Sequence, residues 1–123
     1  MTDQTPDPRL KLRIVFGDSG MVGPGKAELL ERIEATGSIA DAGRAMGMSY
    51  KRAWQLVQTM NAIFCKPLVV STRGGAKGGG ARVTELGLTV LAEYRALERG
   101  AYASGAPHIT KLQSLVKPAD TAE

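Results

Sequence analysis

Hydrophobic and polar positions alternate from Leu10 to Phe16. Leu10, Leu12, Ile14 and Phe16 fall on one side, and Lys11, Arg13 and Val15 on the other. A period of two with β-branched and aromatic residues predicts a strand with one buried face. Gly17-Asp18-Ser19-Gly20 reads as a turn, after which Met21-Val22-Gly23 can pair back as a short hairpin. From Pro24 the period changes to that of a helix ending at Gly37, with Leu29, Leu30 and Ile33 as its apolar stripe. Ser38 then caps a second, short helix. Asp41 stands three residues on, where a capping box more often has Glu or Gln. Ala42, Ala45 and Met46 keep this helix slim, and Gly47 ends it. Ser49 caps a third helix running to about Phe64. Ala53, Leu56, Val57, Met60 and Phe64 face its core side, and Trp54 is expected to pack beside that stripe.

Lys66-Pro67 breaks this helix. Leu68 to Ser71 and Ala81 to Thr84 read as two strands of a hairpin. Its long tip, Thr72 to Gly80 (TRGGAKGGG), carries five glycines and two basic residues. Thr84 caps the longest helix, from Glu85 to about Ala103. Gly105-Ala106-Pro107 is expected to break it, with a short helix or packed extension beyond. The domain expectation is a tail over 1–9, a folded unit over 10–104, and a partly disordered extension over 105–123. The fold class is mainly α with a small β wing: a winged helix-turn-helix with a long C-terminal dimerisation helix.

Composition sets outer limits. Of 123 residues, 43% are hydrophobic and 23% charged, ordinary values for one globular domain. No apolar run suits a membrane span, and MTDQTPDPR is no secretory signal, so a cytoplasmic protein without a membrane partner is expected. The lone cysteine, Cys65, excludes an internal disulfide and a cysteine-cluster metal site; within Ala62-Ile63-Phe64-Cys65 it reads as a small buried hydrophobe. Neither cofactor nor metal is expected.

Charge changes the picture more than composition does. The net charge is only +4, yet Ala42 to Thr84 contains no Asp or Glu and seven basic residues. The rest of the chain has nine basic and twelve acidic groups. A solvated basic face would give the same imbalance, so the pattern beneath it must decide. That pattern is two helices joined at Gly47, the helix-turn-helix arrangement. The second helix of such a pair enters the major groove of DNA, and its first residues meet base edges. Here they are Ser49, Tyr50, Lys51, Arg52 and Gln55, with Gln58 and Thr59 further along the same side. Arg and Lys suit guanine O6 and N7, and Gln suits adenine N6 and N7. In the wing, Arg73, Lys77 and Arg82 supply charge beside glycine backbone that can approach phosphate closely.

These residues also carry a resemblance. Ser38-Ile39, Met48-Ser49-Tyr50-Lys51-Arg52-Ala53-Trp54 and Met60-Asn61 resemble the recognition segment of the ModE family of molybdate-responsive regulators. Gly74 to Gly80, followed by Val83-Thr84, resembles that family's wing. The likeness spans roughly Leu10 to Ala103. It implies a LysR-related winged helix whose Ser49, Tyr50, Lys51, Arg52 and Gln55 contact bases or phosphates, with Arg73 and Lys77 as wing contacts. It further implies a homodimer built on the N-terminal region and the long helix, for which Leu86, Val90, Tyr94, Leu97 and Ala101 form the apolar stripe. Typical members continue into β-barrel domains that bind the oxyanion, so the matching part does not imply molybdate sensing.

Four other readings of the chain are open. Gly20 to Lys26 (GMVGPGK) satisfies the G-x-x-x-x-G-K spacing of a nucleotide-binding loop, but Ala27 stands where Mg²⁺ needs Ser or Thr, and Pro24 removes an amide donor. His108, the sole histidine, lacks partners for catalysis or metal binding. Two alternatives to DNA binding keep the same fold: a protein-interaction module, and a direct oxyanion sensor using the glycine tip. No enzymatic activity is expected. The sequence-level expectation is a sequence-specific regulator that binds duplex DNA.

Overall fold

A computed structural model describes residues 8–75 and 78–118. Its order is β1 (Ile14–Val15), β2 (Met21–Val22), α1 (Pro24–Thr36), α2 (Ile39–Ala45), α3 (Tyr50–Ile63), β3 (Val69–Gly75), β4 (Gly78–Val83) and α4 (Glu85–Ser114). This is a winged helix-turn-helix followed by one long helix. Two antiparallel hairpins flank the helices: β1 pairs with β2 through Ile14↔Val22 and Val15↔Met21, and β3 pairs with β4 from Val69↔Val83 outward.

The core forms where three helical stripes and the wing meet. Leu29, Leu30 and Ile33 of α1, Ala42 of α2, Ala53, Val57 and Met60 of α3, and Leu68, Val69, Ala81 and Val83 of the hairpin make one buried cluster. A second cluster joins Val22, Ala27 and Tyr94. Each helix begins at an N-cap suited to it. Ser38, Ser49 and Thr84 accept from the backbone N–H of Asp41, Arg52 and Gly87, and α1 has Pro24 in its first turn. Only the Ser38 half of the capping box forms. The Ser38 N–H donates instead to Thr36 Oγ1, and the Asp41 carboxylate pairs with Arg44 at 2.9 Å.

The hairpin is tied to the helices by polar contacts. Asn61 Oδ1 accepts from the Leu68 and Val69 N–H groups while its Nδ2 donates to Val69 O, so the end of α3 anchors β3. The Ala81 N–H donates to Gly37 O, joining β4 to the αL turn after α1 (Gly37 φ 70°). Where α4 departs, Gly87 is wedged against the wing. A Cβ there would collide with Leu68 O and lie 2.6 Å from Val83 Cγ1. Backbone cannot yield as a side-chain tip can, so Gly87→Ala is expected to cost ~1–3 kcal/mol. Chemical denaturation would read this as a lower midpoint with an unchanged slope.

Several expectations are corrected. The first strand is two residues, not Leu10 to Phe16; Leu10 and Leu12 lie in irregular chain because β2 offers only two residues to pair with. The wing strands run to Gly75 and from Gly78, with a register shift between Thr72 and Gly75, so the loop is shorter than Thr72–Gly80. Trp54 and Cys65 are exposed, because α3 turns its Ala53-Val57-Met60 side to the core and the chain leaves it at Phe64. Helix α4 does not stop before Gly105 but runs through Pro107 to Ser114. A proline inside a helix removes one N–H bond and crowds the preceding turn. Here that loss falls on an exposed residue, while Ile109 and Leu112 beyond it share a groove with Pro8, Arg9 and Leu10. Part of the expected N-terminal tail is thus placed beside the end of α4; residues 1–7 and 119–123 lie outside the described residues.

Candidate nucleic-acid interface

The turn that positions α3 is made by Gly47 and Gly43. Gly47 has φ 75°, a conformation open to glycine, and the Met48 N–H donates to Gly43 O at 2.9 Å. Gly43 is buried where α2 meets α3: a Cβ there would lie 2.8 Å from the Ala53 Cβ. Sequence patterning identified the turn glycine but not this second one. A glycine inside a helix signals close packing only once the partner helix is known.

At 3.6 residues per turn, successive side chains on α3 are about 100° apart. Ala53, Val57 and Met60 occupy the buried side. Lys51, Gln55 and Gln58 lie opposite, centred on the exposed face, and Thr59 lies at its edge. Tyr50 and Trp54 form one flank, 56% and 45% exposed, and line a cleft with Ser38, Ser71 and Gly80 on the wing side. Arg52 lies on the other flank, beside the start of α1, in a cleft with Arg13 and Lys26. Two residues already have local bonds. Ser49 Oγ accepts from the Arg52 N–H, and Thr59 Oγ1 donates to Gln55 O. No ion pair among the described residues involves Lys51, Arg52 or Arg82, so no carboxylate among those residues neutralises their charges. Arg82 is exposed on β4 opposite Val70. Lys77 and the Arg73 side chain lie outside the described residues.

The nucleotide-loop spacing resolves differently from its motif. Lys26 Nζ donates to Met21 O at 2.8 Å, and the lysine is only 7% exposed. Its burial, then the nearby Arg52 charge, lowers the Lys26 pKa below the ordinary lysine value. Among the described residues no group of three or more His, Cys, Asp and Glu could hold a metal ion, and no helix is long and apolar enough to cross a membrane.

On α4, Leu86, Val90 and Ala101 are half-buried and Leu97 is 47% exposed. Tyr94 is buried in its own chain, donating its hydroxyl to Leu12 O at 2.7 Å. That bond joins α4 to the N-terminal segment. Arg95 reinforces the seam with α1: it binds Glu31 through two nitrogens and Glu98 through a third. The Glu31 hydrogen bond, despite opposing desolvation, raises the Arg95 pKa above the ordinary arginine value.

No known family profile matches the chain. Individual proteins do. The molybdenum-pterin-binding protein MopA of Rhodobacter capsulatus is 48% identical over 77 residues, 63% of this chain and 29% of MopA. The molybdenum transport protein ModE of Azotobacter vinelandii is 47% identical over 73 residues, 59% of this chain and 27% of that protein. The DNA-binding transcriptional dual regulator ModE of Escherichia coli K12 is 37% identical over 71 residues, 58% of this chain and 27% of that protein. The chain therefore matches under a third of the length of each of these relatives.

Proposed function

Because this chain is a homologue of ModE regulators and of the molybdenum-pterin-binding protein MopA over about 60% of its length, we propose that it binds duplex DNA with sequence preference as a homodimer and regulates transcription. The observation that carries this reading is the outer face of α3. Lys51, Gln55 and Gln58 are exposed together and free of acidic neighbours along the whole span from Ala42 to Thr84. A protein-binding helix has no need to exclude carboxylates over 43 consecutive residues, whereas a surface facing phosphates does. In this reading Lys51 and Gln55 meet base edges in the major groove, Ser49, Tyr50, Gln58 and Thr59 border the contact, and Arg73, Lys77 and Arg82 lie along the backbone from the wing. No catalytic step is involved.

The surface that α4 leaves uncovered supports the homodimer. Ile14, Phe16, Val22, Val90 and Leu97 are among the residues around an apolar groove of about 340 Å³, where Phe16 is 39% and Leu97 47% exposed. Beyond the core, Tyr102 and Leu112 remain exposed on the same 30-residue helix, and Leu115 is exposed at its C-cap. A second copy covering this surface also doubles the base pairs read, the usual route to a selective operator.

Selection of bound fragments from genomic DNA, followed by titration of a recovered duplex and a scrambled one, tests the reading. A preference of at least tenfold for the recovered duplex is expected; equal binding, or none, overturns it. The same titration tests the wing. Lys77→Ala is expected to weaken both duplexes equally and flatten the salt dependence by about one unit of slope. A changed preference with the slope intact would place Lys77 on a base instead.

A further inference from the structure

The cleft beside Arg52 belongs to no role assigned so far. It has a volume of about 260 Å³ and gathers three cations from separate parts of the fold: Arg13 ahead of β1, Lys26 in the first turn of α1, and Arg52 in the first turn of α3. Met48 and Leu56 contribute apolar wall, and none of its lining residues is acidic. Among the described residues no ion pair involves any of the three cations. Lys26 is the most telling. It is 7% exposed, and among the described residues its one hydrogen bond is to a neutral carbonyl, Met21 O. An ammonium has three N–H donors, so two remain. A cation largely buried without a counter-charge is unfavourable, and the nearby Arg52 charge adds to the cost. Anion binding would relieve both.

The segment around Lys26 adds direction. It is the GMVGPGK run whose spacing mimics a nucleotide loop. Gly23 caps α1, Pro24 has no N–H, and the exposed Gly25 has open space where a Cβ would stand. Backbone at the positive end of a 13-residue helix therefore faces a cleft already lined by three cations.

We propose that Arg13, Lys26, Arg52 and the first turn of α1 hold a backbone phosphate of the duplex whose major groove α3 enters. The placement rests on the DNA-binding reading above. Arg52 connects the two sites, since it lies on the flank of the α3 face and also lines the cleft. One strand of the duplex is then held here and the other by the wing, so that α3 is fixed between two phosphate contacts. Arg52 becomes a positioning contact rather than a base reader, and the GMVGPGK run serves a phosphodiester of DNA instead of a nucleotide.

Two variants of the full chain test this, each titrated with the recovered and scrambled duplexes between 50 and 200 mM salt. Arg13→Ala is expected to weaken both about tenfold and reduce the salt slope by about one. Gly25→Glu puts a carboxylate in the first turn of α1, where it favours the helix but occupies and repels the phosphate position. Its melting temperature is expected to equal or exceed that of the wild type while both duplexes bind at least tenfold more weakly. Wild-type affinity and slope in Arg13→Ala, or in a folded Gly25→Glu, would overturn the proposal and leave DNA binding standing. A wild type that binds no duplex would overturn both. Calorimetry with inorganic phosphate separates the remaining source: binding that Arg13→Ala abolishes, with duplex affinity and slope unchanged, would assign the cleft to a free anion and reject its contact with DNA.

Discussion

Replacing Lys51 and Arg52 together by alanine is expected to lower affinity for a selected duplex by roughly 30- to 10⁴-fold, at about 1–3 kcal/mol per lost contact. The range is wide because the two residues occupy different parts of the α3 face. Lys51 is central, next to Gln55 and Gln58, where a helix in the major groove meets base edges. Arg52 is a flank residue beside Arg13 and Lys26. The single variants should therefore differ in kind. Lys51→Ala should relax sequence preference at one or two positions. Arg52→Ala should weaken every duplex alike and flatten the salt dependence. Both side chains are exposed, neither has an ion-pair partner among the described residues, and alanine favours helix. Stability should therefore stay within about 0.5 kcal/mol of the wild type. A double variant that is folded and binds the selected duplex at wild-type strength would remove α3 from the interface.

Leu97→Glu is expected to turn a dimer at micromolar concentration into a monomer while leaving the fold intact. In the single chain Leu97 is 47% exposed, so a carboxylate there keeps much of its water. In a dimer built on the groove around Phe16, Val90 and Leu97, that carboxylate would be buried without a partner. A penalty of about 3 kcal/mol raises the dissociation constant roughly 100-fold. Sedimentation of both proteins reads the result directly. A wild type that sediments as a monomer without DNA removes the dimer. A folded Leu97→Glu protein that remains dimeric moves the interface elsewhere. Tyr94→Phe is the useful contrast. Its hydroxyl bonds to Leu12 O within the chain, so the change should lower stability by about 1 kcal/mol and leave assembly largely unaffected.

What the sequence determined by itself is local. The two ends of α1 and the starts of α3 and α4 follow from Pro24, Gly37, Ser49 and Thr84, because a cap or a positive-φ turn acts within a few residues of itself. The buried side of α3 follows from the spacing of Ala53, Val57 and Met60, and its exposed side from what remains. The exclusion of acid from Ala42 to Thr84 is likewise a property of the sequence alone. Only the tertiary structure decided matters that depend on distant neighbours. Leu10 and Leu12 alternate like strand residues, but a strand needs a partner to pair with, and β2 supplies only two residues. Pro107 reads as a breaker, yet helix α4 continues where Ile109 and Leu112 border the Pro8–Leu10 segment. Trp54 looks like core by type and is exposed by its angle around α3. The meeting of Arg13, Lys26 and Arg52 is the furthest from sequence. They are 13 and 26 residues apart along the chain, and it is the hairpin, the first turn of α1 and the packing of α3 that bring their charges to one cleft.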